Sequence, residues 1–293
     1  LDNTGKGIPN MQVQIINNSI IPNINEIRTT NDDGNAFLLE APPGDGTYQI
    51  NISKSGYCPV QTYDRTSNFE PVDYHGSVVE GTINQKSIMT DRIAVFKIAS
   101  VDPQGKKIPN INFALKGGKK IGDPVPTPSD MADAYYSYDN QNLATNNGGE
   151  TTFNNMSFGS YYFTFKNPVA NYEFVKMVPS AGRKDKFDIP PGANADVKAI
   201  LADINVSSLW ITLIDDTDGS ILANREVRLE NSILGYDKSL TTDDYGQVFF
   251  PDNSKALQNT QYTLSVNAEG YQSFSEDITV NNLTKKEVRL VPN

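Results

Sequence analysis

Five places along the chain hold side chains whose type and spacing could do chemistry. Asp215, Asp216 and Asp218 stand ahead of Gly219, with Glu226 at the twelfth position counted from Asp215. A calcium loop gathers six to eight oxygens from such a run, but it places an acid at position three, where this chain has Thr217. Asp32, Asp33, Asp243 and Asp244 fall at similar spots, and Asp-rich segments are also what tight turns use. Cys58-Pro-Val-Gln61 has the C-x-x-Q spacing of an internal thioester; the plainer reading is a free cysteine in a short surface strand. His75 is the one histidine. A catalytic His needs a nucleophile and an orienting acid, and no G-x-S-x-G elbow is present, so a loop His is expected. Residues 118–144 carry Pro124, Pro126 and Pro128, which suggest an extended stretch, followed by Tyr135, Tyr136 and Tyr138. Clustered Tyr with Asn, Asp and Ser is the make-up of adaptable contact surfaces and suits stacking on sugars. The alternative places Tyr136 and Tyr138 against a sandwich core as an ordinary strand, with Tyr135 exposed.

Composition narrows these options. The 293 residues carry 35 acids against 25 bases, a net charge of −10, which argues against nucleic acid and anionic lipid as partners. One His and one Cys leave no ligand set for structural zinc and no disulfide framework. No apolar run reaches the length of a membrane span. The chain opens on Leu1 without a leader, and reads as part of a longer protein.

The elements that must position these residues come in three copies. D-N-T-G-K-G-I-P-N-M-Q-V-Q-I begins at Asp2, D-P-Q-G-K-K-I-P-N-I-N-F-A-L at Asp102, and D-T-D-G-S-I-L-A-N-R-E-V-R-L at Asp216. Each reads as a turn followed by a strand of period two. A second turn follows: Thr30 to Gly34, Thr145 to Gly149 and Thr242 to Gly246. Apolar strands come after it at Phe37-Leu38-Leu39, Thr152-Phe153 and Val248-Phe249-Phe250. An alternating strand then opens on Tyr48, Tyr161 and Tyr262. Copies one and three continue to Gly56-Tyr57 and Gly270-Tyr271, whereas copy two has Asn167-Pro168. Closing strands are expected at residues 87–90, 197–201 and 288–291. Copies two and three have an opening strand, residues 92–101 and 209–215, where copy one has only Leu1.

The fold class expected is therefore all-β: three tandem Ig-like or transthyretin-like sandwiches in a semi-rigid rod, with little helix. The boundaries are 1–91, 92–203 (with the 118–144 insertion) and 204–293. The alternating positions Val13, Ile15, Tyr48, Ile50, Ile52, Phe113, Leu115, Tyr161, Phe163, Val227, Leu229, Tyr262 and Leu264 form the expected core. Trp210 belongs in the third core or at the junction of repeats two and three.

The pattern D-x-x-G-x-x-I-P-N-x-x-V-x-I, then T-x-D-D-G, then G-x-Y-x-I-x-I-S-K-x-G-Y resembles the carboxypeptidase regulatory-like family of transthyretin-like sandwiches. The order of motifs in copy one is also similar to pilin-like bacterial surface proteins. Collagen-adhesin B-type domains are a related comparison: in them a first-strand Lys joins a last-strand Asn. Lys97 stands where that Lys would be, but the closing strand of copy two offers no Asn, so Lys97 is expected simply to point outward. The resemblance implies a non-enzymatic structural stalk at the cell surface or in a pilus, anchored through a segment ahead of Leu1. No catalytic, cofactor or metal residue is expected. Two other readings stand beside it: an adhesin or carbohydrate-binding module using the insertion, and the accessory tail of a secreted enzyme. Expected partners are a protein or glycan surface, or other copies in a filament, with neither nucleic acid nor membrane. Copy one's missing opening strand is expected from residues upstream of Leu1 or from a neighbouring subunit.

Overall fold

The structure is a computed structural model that describes residues 1–66, 68–166, 171–252 and 256–293. The described residues are almost entirely strand, turn and loop, with a single three-residue helical turn at Met131–Asp133. Turn-forming Asn, Asp and Gly recur too often for long helices, and β-branched and aromatic residues fill the alternating stretches between them.

Residues 1–91 contribute β1 (Gln12–Asn17), β2 (Ile24–Thr29), β3 (Gly44–Ser53), β4 (Val60–Gln61), β5 (Phe69–Pro71) and β6 (Gly76–Val78). Next come β7 (Ala94–Val101), β8 (Asn112–Pro124), β9 (Tyr135–Ala144), β10 (Glu150–Met156), β11 (Gly159–Phe165), β12 (Tyr172–Val178), β13 (Lys186–Ile189) and β14 (Asn194–Asp203). The remainder forms β15 (Ser208–Asp215), β16 (Glu226–Asn231), β17 (Tyr236–Thr241), β18 (Gln247–Phe250), β19 (Gln261–Val266), β20 (Phe274–Thr279) and β21 (Leu283–Leu290).

The chain divides into two compact units. The first comprises Leu1–Ala99, Asn110–Lys166 and Met177–Lys198; the second comprises Ser100–Pro109, Asn167–Lys176 and Ala199–Asn293. In the first unit one sheet has the order β2-β1-β3-β4, with β6 on β3, and another the order β13-β11-β8-β5, with β9 on β8. The second unit holds the sheets β18-β15-β21 and β17-β16-β19-β20. Strands β7, β12 and β14 of the sheet β10-β7-β14-β12 each have residues in both units.

The expected core positions are buried, with one correction. Ile50 is only half-buried, although it pairs with Ile15 in the β1–β3 ladder. The layer over it is thin, because residues 35–43 and 79–91 form no ladder there. The strands expected at Phe37–Leu39 and at 87–90 are therefore absent as strands: an extended segment becomes one only when a neighbour takes its N–H and C=O groups. The replacement of the Gly-Tyr turn by Asn167-Pro168 lies outside the described residues.

Candidate functional site

The repeated turns use one set of contacts. In the second turn Gly34, Gly149 and Gly246 all have positive φ and donate N–H to Asn31, Asn146 and Asp243 carbonyls. The side-chain oxygens of Asn31, Asn146 and Asp243 accept from the N–H four residues on, at Asn35, Glu150 and Gln247. Ahead of each turn sits a buried threonine. Thr30 Oγ1 accepts from Met11 N–H at 2.8 Å and donates to Ile8 C=O at 2.7 Å. Thr242 does the same with Arg225 N–H and Leu222 C=O. Thr145 accepts from Ile111 N–H at 3.0 Å. Asn10, Asn110 and Asn224, the last residue of I-P-N or L-A-N, all adopt the left-handed conformation that Asn tolerates. The spacing of T-x-x-x-G shows the turn, but nothing local shows that its Thr staples a distant strand.

The Asp-rich segments are built into these turns. Asp2 Oδ1 accepts from the N–H groups of Thr4 and Lys6, and Asp102 Oδ1 from those of Gln104 and Lys106. In the third copy Asp215, not Asp216, closes the turn: its C=O accepts from Gly219 N–H and its carboxylate from Thr217 N–H. The third turn is thus one residue longer than the first two, in which Gly5 and Gly105 donate to the carbonyl three residues back. Tyr271 OH donates to Asp215 at 2.8 Å. The Thr217 N–H first and the Tyr271 hydroxyl next hold the Asp215 carboxyl below its ordinary value. Among the described residues no three His, Cys, Asp or Glu side chains gather as a metal-binding group.

Cys58 is buried, with Sγ 3.6 Å from Met156 C=O, and burial raises its thiol pKa. It lines a cavity of about 350 Å³ together with Gln61, Asp73, Lys119, Ser137 and Ser157. A protonated thiol is the poor nucleophile of its acid–base pair, so the C-x-x-Q spacing is not matched by an activated sulfur. His75 Nδ1 lies 2.9 Å from Thr62 Oγ1, which also accepts from Ile50 N–H. Burial lowers the His75 pKa, which favours the neutral ring with Nδ1 accepting from the threonine hydroxyl. Lys97 points outward between Phe96 and Ile98, 3.2 Å from Asp196 and 3.5 Å from Glu150. The Asp196 hydrogen bond raises its pKa, so it is an ammonium in a surface ion pair.

The 118–144 insertion is a hairpin arm. Strand β8 runs on to Pro124, so the first proline ends a strand and does not begin an extended loop. Strand β9 returns along it, with Tyr138 opposite Gly117 and Tyr136 opposite Lys120. Tyr136 packs on Ala134 and Tyr162 and donates to Met131 C=O at 2.8 Å; burial, with Tyr162 beside it, pushes its pKa up. Tyr138 meets the edge of Phe153 in the core. Tyr135 is 44% exposed and stands edge-on to Phe69 at 5.3 Å. The three tyrosines thus do not form one face.

Phe69 belongs to residues 1–91, and its strand β5 adds to the arm: Phe69 pairs with Pro124, Glu70 with Asp123 and Pro71 with Gly122. Val72 N–H donates to Ile121 C=O at 2.7 Å. Lys119 Nζ bonds Asp73 at 2.8 Å and Met89 C=O at 2.6 Å. Another set of contacts lies within the second unit. Trp210, 8% exposed, packs with Val175 and Ala202. Lys176 pairs with Asp243 and Lys285 with Glu173. No helix among the described residues is long and apolar enough to cross a membrane.

No family model matches the chain, and no curated protein matches it. Among solved structures, the TIE protein of Bacillus anthracis is similar at 16% identity and TM-score 0.30, over 99% of this chain and 49% of that one. This chain therefore spans about half of that protein's length. A streptococcal ancillary pilin is similar at 13% identity and TM-score 0.29, over 99% of this chain and 94% of its own. The minor pilin of Streptococcus agalactiae gives 14% identity and TM-score 0.26, over 68% and 96%. At these scores the likenesses carry no argument, and the all-β fold rests on the ladders above.

Proposed function

We propose that the chain is a non-enzymatic structural segment of a cell-surface or pilus-associated protein, made of three sandwich repeats of the carboxypeptidase regulatory-like kind at 1–91, 92–203 and 204–293. The observation that carries this reading is the joint between the first two repeats. There, residues 69–71 of one repeat add a strand to the sheet of the next, and Lys119 reaches back to Asp73 and Met89. A connection with backbone pairing resists bending in a way that a flexible linker does not. Labelling of intact source cells with an antibody against the chain tests the reading. Signal on the surface or along filaments is expected, and signal only after permeabilisation overturns it.

A second reading has one observation in its favour. Tyr135 and Phe69, with Tyr63 edge-on to Phe69 at 5.8 Å, place aromatic rings at the root of the arm. An exposed ring held by its neighbours suits stacking on a sugar or on another protein. Glycan-array binding abolished by Tyr135→Ala is expected for an adhesin, and an array without signal leaves the structural reading alone.

A further inference from the structure

The third repeat shows what a complete sheet of this fold contains. Its opening strand β15 lies between two neighbours, antiparallel to β18 (Leu209 opposite Phe250) and parallel to β21 (Ser208 opposite Leu283 through Asp215 opposite Leu290). Its inward residues Leu209, Ile211 and Leu213 are fully buried.

In the first repeat the shared turn at Gly34 aligns residues 35–38 with β18, and residues 83–90 take the place of β21. Both segments keep the alternation of strands. Ala36 and Leu38 face the core while Phe37 and Leu39 are exposed; Ile88 and Thr90 are buried while Met89 is exposed. Neither is in a ladder. Leu39 is 79% exposed and Ile83 fully so. Leu1 already sits between the missing rungs. Its amino nitrogen donates to Ile88 C=O at 2.9 Å and its carbonyl accepts from Thr90 N–H at 2.9 Å. Those two bonds, flanking Met89, are one rung of a parallel ladder.

We propose that the first repeat is a strand acceptor. It takes up an extended segment of about seven residues joined to the Leu1 amino group, parallel to residues 83–90 and antiparallel to 35–38. The register follows from the aligned turns. Asp2 does the work of Asp215, so Leu1 corresponds to Ile214, and Leu213, Ile211 and Leu209 correspond to the first, third and fifth residues ahead of Leu1. Those three positions carry inward, mostly apolar side chains, and those between them face outward. The second repeat has the same phase, with Ser100, Ile98 and Phe96 inward and Lys97 outward. A segment continuous with Leu1 is favoured over a strand from another molecule. Leu1 fills the last rung and holds the preceding residues at high local concentration. The inference does not depend on the surface reading.

The test uses the full chain with a seven-residue extension ahead of Leu1 that copies residues 94–100, A-V-F-K-I-A-S. A second version has its inward and outward residues exchanged. A one-residue phase change moves every side chain to the other face, so the two versions differ only in register. Hydrogen exchange is followed at amides 35–38 and 83–90, with β15 and β21 as an internal check that the chain is folded. Exchange at both flanks at least tenfold slower in the in-register version alone, with the protein monomeric by light scattering, is the expected result. No protection on either flank, equal protection by both versions, or protection that disappears on dilution as a dimer dissociates overturns the proposal.

Discussion

The first and third repeats share their turns almost bond for bond and differ in how much of the sheet is complete. In the third, β15 is hydrogen-bonded on both edges, and the core reaches from Leu209 to Leu290. In the first, the same turn leads into residues 36–41 without a ladder, and the core is smaller, with Ile50 and Leu38 only half-buried. Identical local chemistry therefore does not produce an identical sheet. A strand that lacks one neighbour leaves both the ladder and the apolar layer above it unfinished.

The sharpest test of that difference replaces equivalent residues. Leu264→Ala in the third core should cost about 2–5 kcal/mol, and Ile50→Ala, at the matching position of the first, distinctly less. Denaturant unfolding read by residue-resolved hydrogen exchange checks this; equal losses would remove the contrast between the repeats.

The threonine staples come next. Thr242→Val leaves Arg225 N–H and Leu222 C=O without the hydroxyl that joins them, at a cost of about 1–3 kcal/mol. Thr30→Val should cost a similar amount, because Met11 N–H and Ile8 C=O lose the same partner. If the two costs are similar while the core substitutions differ, the difference lies in the sheet and not in the turn.

Gly122→Ala probes the joint. A Cβ there would stand 2.5 Å from Glu70 C=O and 2.8 Å from Pro71 Cα. Overpacking of this kind costs about 1–3 kcal/mol, and it should appear as faster exchange at Glu70 and Val72 without loss of the third repeat. Unchanged exchange there would mean that β5 pairs too loosely to act as a joint.

The smallest effect concerns pH. Burial lowers the His75 pKa in the folded chain, so below its ordinary value near 6.5 the unfolded chain binds the proton more readily. The contribution of His75 is present above about pH 6.5 and is lost as pH falls through the lowered folded value. The first repeat should therefore weaken between pH 7 and 5 more than the third, and His75→Gln should flatten that slope. A slope unchanged in the variant would assign it to other groups.

Much of this was legible in the amino-acid order. The turns at Asp2, Asp102, Gly34, Gly149 and Gly246 and the period-two strands β1, β16 and β19 follow from local rules. Asn, Asp and Gly settle a turn within four or five residues, and an alternating strand declares its buried face by itself. The insertion shows the limit of that reading. Its prolines and tyrosines left two readings open, an adaptable contact surface and an ordinary strand with Tyr136 and Tyr138 against the core; residues 118–124 and 135–144 form one hairpin with Tyr136 and Tyr138 turned to the protein.

Tertiary structure alone decided which extended segments became strands. Residues 35–38 and 247–250 have similar apolar patterns, but only the latter meets a neighbour along its length. Residues 69–71 gave no strand signal of their own and pair because Gly122 lets two backbones come close. Ladder membership is a property of two segments distant in sequence, whereas a turn or an alternation is a property of one. That is why the amino-acid order determined the repeated turns and the period of the strands, while the extent of each sheet, the joint at β5 and the half-buried Ile50 were decided by which backbones meet in space.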